Sequence, residues 1–248
     1  YKAIRDPELA ATGIDWNGAT AILNVAHQFW SWSRTVEGYG KGSDLLPYMI
    51  TMNEFHTKNR NWWHDDFYYL MGKREALDVD GEWHLATDGT LTLMSSKAAP
   101  ANIRAKQRDY AFKGTDSAFV ELSGFHFFGC TFRFDNSSNC LVEYCNLLYP
   151  SYARGVPNAE EKGRKKPCPG TMMVGKENTI RSCSFAHCPN YGVVLQGEKN
   201  VIENCIVHDV NWTGTLHYTA VRLGSKKGVE EPRNVARNNT LYNVGNTI

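Results

Sequence analysis

The sequence predicts an all-β chain whose C-terminal part, from about Ser117 to Ile248, is a parallel β-helix: a stack of coils that repeat one short pattern. Three observations predict it: a recurring five-residue strand motif, a matching glycine-bounded strand in the second half of each coil, and asparagines at the start of successive coils. Phe119-Val-Glu-Leu-Ser123, Leu141-Val-Glu-Tyr-Cys145, Thr179-Ile-Arg-Ser-Cys183, Val201-Ile-Glu-Asn-Cys205 and Val235-Ala-Arg-Asn-Asn239 align, each apolar early, polar next, and small or polar at the end. The end column reads Ser123, Cys145, Cys183, Cys205, Asn239, with spacings of 22, 38, 22 and 34 residues. A coil of 22 residues with insertions of 16 and 12 accounts for these spacings.

The second half of each coil keeps the same register. Gly192-Val-Val-Leu-Gln-Gly197-Glu-Lys-Asn200 matches Gly170-Thr-Met-Met-Val-Gly175-Lys-Glu-Asn178, and Thr219-Ala-Val-Arg-Leu-Gly224 matches again before its insertion. Asn178, Asn200 and Asn234 open three successive coils. Short β-branched strands separated by Gly and Asn, which tolerate positive φ, suit such coils. No coil can bury its own apolar face; stacking equivalent positions makes one continuous core. Cysteine serves there as a small apolar residue, so Cys145, Cys183 and Cys205 read as an interior ladder rather than a disulfide or metal set. Seven cysteines cannot all pair internally, and a Cys168–Cys188 bridge has no support beyond both lying outside that column.

Residues 1–100 read differently. Trp16-Asn-Gly-Ala-Thr-Ala-Ile-Leu-Asn-Val is a strand after a turn, and Gln28-Phe-Trp-Ser-Trp-Ser-Arg-Thr-Val alternates as a half-buried strand does. Phe67-Tyr-Tyr-Leu-Met is a third strand, followed by a short helical turn at about 70–78. Gly81-Glu-Trp-His-Leu and Gly89-Thr-Leu-Thr-Leu form a hairpin around Thr87-Asp-Gly. The division is therefore a β-rich region over 1–100 and coils over 101–248.

Composition narrows the function classes. Of 248 residues 42% are hydrophobic, enough for a sizeable core, and a net charge of +1 gives no general bias toward nucleic acid or anionic membrane. No apolar run approaches the roughly 20 residues of a membrane span. Tyr1-Lys-Ala-Ile-Arg lacks the apolar run of a signal peptide. The chain starts and stops in mid-pattern, so a mature fragment or a piece of a longer polypeptide is expected, with further coils or another chain at the C-terminal end. Aromatics make up 12%, including seven Trp, and exposed aromatic rings are common platforms for sugars. No His-Glu-x-x-His and no Cys-x-x-Cys indicates a metal or other cofactor, and calcium stays open. Gly38-x-Gly40-x-Gly42 lacks the strand-to-helix context of a nucleotide site. Asn136-Ser-Ser, Asn211-Trp-Thr and Asn238-Asn-Thr match a glycosylation sequon, as Asn-rich coils do by chance.

The order Trp-x-Gly-Ala, Trp-Ser-Trp-Ser-Arg-x-Val, Leu-Asp-x-x-Gly-Glu-Trp and Gly-Thr-Leu-x-Leu, followed by coils, resembles bacterial right-handed parallel β-helix proteins related to polysaccharide lyases and glycoside hydrolases. The resemblance spans nearly the whole chain. It implies a right-handed β-helix with a small N-terminal β-domain or hairpin packed against it, a polysaccharide partner, and an extracellular, cell-surface or periplasmic location. Asp80 stands where those proteins often have Pro, and His84 where they often have Tyr. No lyase or hydrolase motif carries over.

Candidate chemistry follows from the insertions. Cys145 to Gly170 is 16 residues longer than Cys183 to Gly192, and Cys205 to Tyr218 is five longer than Cys183 to Tyr191. Both additions leave at one corner, where loops on a rigid scaffold wall a groove. Four positions after the ladder lie Phe127, Tyr149, His187 and Asp209; one position earlier lie His126, Leu148, Ala186 and His208. With coils about 4.8 Å apart, His187 and Asp209 come within hydrogen-bond reach, so His187, His208 and Asp209 form an expected acid/base cluster. Tyr149, Tyr191, His217 and Tyr218 are expected to shape subsites, and Arg154 or Arg222 to meet a carboxylate. The basic segment Gly163-Arg-Lys-Lys166 suits a uronan. The expected activity is cleavage of an acidic polysaccharide by β-elimination. The alternatives are a glycoside hydrolase, which needs a second carboxylate about 5–9.5 Å from the first, and a non-catalytic glycan-binding or structural β-helix. Glu143 and Glu203 occupy strand positions where outward carboxylates are ordinary.

Overall fold

The computed structural model describes residues 2–25, 30–48, 66–151, 170–211, 218–225 and 232–245. These fall into two compact units, one up to Arg104 and one from Ala105 onward.

The first unit is mostly β. Strand β1 (Lys2–Arg5) pairs antiparallel with β4 (Leu45–Tyr48), and β2 (Thr20–Val25) lies between β3 (Trp30–Thr35) and β5 (Phe67–Met71) in an antiparallel sheet. Its core is Ile4, Leu9, Trp16, Ala19, Ala21, Leu23, Val36, Tyr39, Leu46 and Tyr48. The expected helical turn is a single 3-10 turn at Arg74–Ala76, and a four-residue helix α1 (Glu8–Ala11) precedes the first expected strand. The hairpin is present as β6 (Trp83–Leu85) and β7 (Leu91–Leu93). At its tip Gly89 takes φ 88, and the Asp88 carboxylate accepts from the Thr90 amide at 2.8 Å, as a short Asp-Gly turn requires. The Gly38–Gly42 stretch is a loop in which Tyr39 is buried and its amide donates to the Asn17 side chain at 2.7 Å.

The second unit is a right-handed parallel β-helix of five coils. In chain order the strands are β8 (Tyr110–Thr115), β9 (Glu121–Ser123), β10 (His126–Phe128); β11 (Thr131–Ser138), β12 (Leu141–Glu143), β13 (Asn146–Leu148); β14 (Met172–Lys176), β15 (Thr179–Arg181), β16 (Ser184–Cys188); β17 (Val193–Glu198), β18 (Val201–Glu203), β19 (Ile206–Val210); and β20 (Val221–Gly224), β21 (Val235–Arg237), β22 (Thr240–Val244). The first strand of every coil joins one five-stranded parallel sheet, the second another, and the third another. We call these the first, second and third sheets.

Sharp corners separate the sheets, and each corner uses a residue with positive φ. Phe119, Asn139, Glu177, Lys199 and Arg233 form one such column, Gly124, Tyr144, Ser182, Asn204 and Asn238 a second, and Gly129, Tyr149, His187, Asp209 and Asn243 a third. Left-handed backbone at the corners is therefore a property of the coil itself.

Inside, Phe132, Phe134, Val142, Leu147, Met173, Ile180, Phe185, Leu195, Ile202 and Val207 are fully buried, and the expected cysteine ladder of Cys145, Cys183 and Cys205 lies among them. Each ladder thiol donates to the carbonyl two residues earlier, at 3.2 Å in all three cases. Burial pushes the Cys145 thiol above the ordinary range and that of Cys188, a free thiol, up to about 12, while hydrogen bonding with Cys205 and then burial push the Cys183 thiol upward. The coil-opening asparagines form a second ladder. The Asn178 and Asn200 amides donate to the side-chain oxygens of Asn200 and Asn234 at 3.1 and 2.9 Å, and the Asn200 side chain donates to the Gly175 carbonyl at 3.1 Å. Gly175 and Gly197 are imposed by contact: a Cβ on Gly197 would lie 1.9 Å from the Gly175 oxygen, and one on Gly175 would lie 1.8 Å from the Ser137 oxygen.

The structure corrects the expected register twice. Ser123 pairs with Glu143, so the position above Cys145 is Phe125 and the first spacing is 20 residues rather than 22. Phe127 consequently lies in the buried column of Leu147, Phe185 and Val207, and the corner position in the first coil is Gly129. In the last coil Gly224 pairs with Gln196, not with Gly197, a shift of one residue.

Candidate functional site

The third sheet ends at the corner column, and its strand pairings bring the site together. Ala186 pairs with His208 and His208 with Tyr242, so the next residues, His187, Asp209 and Asn243, follow one above another along the coils. Their φ angles of 56°, 52° and 50° turn the side chains away from the core. Side-chain exposures of 40% for His187, 33% for Asp209 and 22% for His208 place the cluster at the solvent face, where acid/base chemistry needs it.

His208 Nδ1 lies 2.7 Å from Asp209 Oδ2, a hydrogen bond, while His187 Nδ1 lies 3.8 Å from the same oxygen, within ion-pair range only. The other carboxylate oxygen accepts from Asn243 Nδ2 at 3.1 Å. Hydrogen bonds from His208 and then Asn243 hold the Asp209 carboxyl below the ordinary aspartate range, with the two imidazoles adding to the effect. Asp209 is therefore a carboxylate near neutrality. With a carboxylate at Nδ1, a neutral His208 carries its proton there and leaves Nε2 as the basic nitrogen.

Rings line this edge from the first coil to the last. Phe128 meets Tyr149 edge-on at 5.8 Å, Tyr149 stacks on His187 at 4.8 Å and 15°, His187 meets His208 at 6.1 Å and 72°, and His208 stacks on Tyr242 at 4.7 Å and 4°. Tyr149 is one of the residues expected to shape a subsite. One of its faces is taken by His187, and the residue is 49% exposed.

Tyr191, Tyr218 and Arg222 form a separate constellation at the start of the first sheet. Tyr191 and Tyr218 meet edge to face at 4.7 Å. The Arg222 guanidinium donates to the Tyr191 hydroxyl at 2.6 Å and sits 5.2 Å from the ring centre. Arg154, His217 and the basic segment 163–166 lie outside the described residues, as do the tips of both insertions. Glu143 and Glu203 belong to neither group. They face out from the second sheet and accept from Arg181 and Arg237, each at 2.7 Å, in a lateral row that alternates in charge.

Sequence reasoning missed Tyr242 and Asn243. The signal was available, because the five-coil alignment places Asn243 four residues after Asn239, the position of His187 and Asp209 in their coils. Among the described residues no three His, Cys, Asp or Glu side chains converge to hold a metal ion, and no helix is long and apolar enough to cross a membrane. Comparison with protein-family models, with curated proteins and with solved structures finds no match to the chain.

Proposed function

We propose that the β-helical unit is a carbohydrate-active enzyme that cleaves an acidic polysaccharide by β-elimination, with His208 as the base. The observation that carries this reading is the 2.7 Å hydrogen bond from His208 Nδ1 to Asp209 on the solvent face. Such a carboxylate–imidazole pair orients a general base whose far nitrogen meets the substrate. In the proposed step His208 Nε2 takes the proton on C5 of a uronate. The released electron pair forms the C4–C5 double bond, the bond from C4 to the glycosidic oxygen breaks, and that oxygen takes a proton. His187 in its charged form pairs with the same Asp209 oxygen and serves as the donor. The charge that develops on the uronate carboxylate when C5 is deprotonated calls for a cation, and Arg222 and Arg154 are the candidates for it.

Elimination is favoured over hydrolysis because a glycosidase needs two carboxylates across the scissile bond. Both oxygens of Asp209 are engaged in orienting its neighbours, and Glu143 and Glu203 are ion-paired on a different sheet. A second reading, glycan binding without cleavage by a cell-surface or extracellular module, is favoured by one observation: the Asp209 hydrogen bonds also make a self-satisfied polar corner.

The test is incubation of the full chain with a panel of uronans and neutral glycans, following both the ultraviolet absorbance of unsaturated uronate and new reducing ends. Both signals are expected with a uronan, and His208→Ala should lower the rate by about 10²–10⁴-fold, the usual contribution of a general base. Reducing ends without the absorbance would sink elimination in favour of hydrolysis. Neither signal from folded protein that still binds glycan would favour the binding module.

A further inference from the structure

We propose that Tyr242 and Asn243, contributed by the fifth coil, are positioning residues that fix the His208 imidazole in one tautomer and one plane. This deepens the proposed function and rests on the same site, but its test does not require turnover.

Two imidazoles point Nδ1 at one carboxylate. Left to rotate, that carboxylate could present either oxygen to either ring. Asn243 removes the ambiguity by donating to Oδ1 at 3.1 Å, which leaves Oδ2 for His208 at 2.7 Å and for His187 only at 3.8 Å. The pairing assigns unequal roles to two otherwise similar histidines. Tyr242 acts on the ring plane. It lies parallel to the His208 imidazole, 4.7 Å away at 4°, and the edge of His187 approaches at 6.1 Å and 72°. Turning the imidazole about its Cβ–Cγ bond would drive it into one ring or the other.

Backbone geometry brings these groups together. His208 and Tyr242 are register partners in β19 and β22, and Asp209 and Asn243 both occupy the left-handed corner. Asn adopts that backbone at little cost. The same device recurs lower in the stack, where Tyr149 covers His187 at 4.8 Å and 15°. Each imidazole thus has its own tyrosine. The other two corner columns, which hold Phe119 and Tyr144 besides Asn, Ser, Gly and charged residues, contain no histidine and so no imidazole for a ring to orient.

The experiment is nitrogen-15 NMR of the histidine side chains in the full chain, with the Asp209 carboxyl titrated in parallel. Wild-type protein is expected to show His208 as the single Nδ1–H tautomer when neutral. Asn243→Ala should give a mixture of tautomers and raise the Asp209 midpoint toward the ordinary range. Tyr242→Leu should also mix the tautomers, while Tyr242→Phe, which keeps the stack, should not. Tyr242 is 46% exposed, so the coil is expected to survive these changes, and Asn243→Ser, which keeps a donor, guards against a misfolded alanine variant. An unchanged tautomer in both Asn243→Ala and Tyr242→Leu would overturn the proposal. The expected NMR pattern in a protein without β-elimination would keep the positioning role and remove only the lyase reading.

Discussion

Replacing Asn200 by alanine takes out the middle rung of the buried asparagine ladder. Its side-chain oxygen accepts from the Asn178 backbone amide at 3.1 Å and from the Asn178 side chain at 3.0 Å, and its own amide donates to the Gly175 carbonyl and to Asn234 Oδ1, both at 3.1 Å. Alanine leaves the buried Asn178 N–H without that acceptor, a loss of about 1–3 kcal/mol, and removes further bonds that contribute about 0.5–1.5 kcal/mol each. The total is about 2.5–7.5 kcal/mol, with the rung's backbone bond to Asn234 retained. At about 2–4 °C per kcal/mol for a unit of this size, the melting temperature of the β-helical transition should fall by roughly 5–30 °C. Calorimetry and urea unfolding of the full chain measure both, and the urea m-value should stay constant because the surface exposed on unfolding does not change. Ser184→Ala is the control. Its hydroxyl donates to Asn146 at 2.8 Å on the exposed face, so it should stay within about 0.5 kcal/mol. A loss below about 1 kcal/mol for Asn200→Ala would mean that neighbouring groups or water satisfy the corner, and the account of the ladder would be wrong.

Gly197→Ala should be worse than any rung deletion, because its methyl would lie 1.9 Å from the Gly175 oxygen; the expected outcome is loss of soluble folded protein, and a well-folded variant would contradict the stacking geometry. For Asp209, hydrogen bonding lowers the folded-state pKa, so its stabilising contribution is present above the unfolded value of about pH 4 and is lost as pH falls through the folded value. Carboxyl NMR should accordingly find its midpoint below the ordinary range, and His208→Ala should move that midpoint upward. Alkylation at mildly alkaline pH should spare Cys145, Cys183 and Cys188 in native protein while, among the described cysteines, half-buried Cys130 reacts first, read by peptide mass mapping with and without urea.

The sequence made the coils, the cysteine and asparagine ladders and the Asp-Gly hairpin legible because each depends on residue type at a fixed offset. It misplaced the first coil by two residues for a physical reason. Side chains alternate along a strand, so a one-residue slip exchanges the buried and exposed faces, whereas a two-residue slip leaves the pattern intact. Placing Ser123 beside Cys145 therefore looked as good as the observed Phe125, and it carried Phe127 to the corner when that ring belongs to the core. The one-residue error at Gly224 came from treating glycines as equivalent. Gly197 is required by the carbonyl beneath it, while a Cβ on Gly224 would meet no atom closer than 3.7 Å. The expected closeness of His187 and Asp209 survived both errors because the two residues lie in coils three and four, where the spacing of 22 residues is uninterrupted.

The site's location on this scaffold has its own logic. In the second sheet the outward polar column is Ser123, Glu143, Arg181, Glu203 and Arg237, where each acid has a base on the next coil, so the row is internally neutral and has little left to offer an anionic ligand. The corner after the third sheet differs in composition: a single carboxylate faces two imidazoles and an amide across three coils. Its left-handed backbone is common to every corner, so strain does not distinguish it. The distinguishing features are that two ionisable rings share one acid, and that two of the three insertions leave the coil soon after this column, following Tyr149 and Asp209. If the insertions wall a substrate groove, shortening the segment between Ser151 and Gly170 to the length of the third coil's connection should weaken glycan binding while leaving the His208 tautomer as it is. A tautomer that changed with the loop would instead make the insertion part of the acid/base machinery.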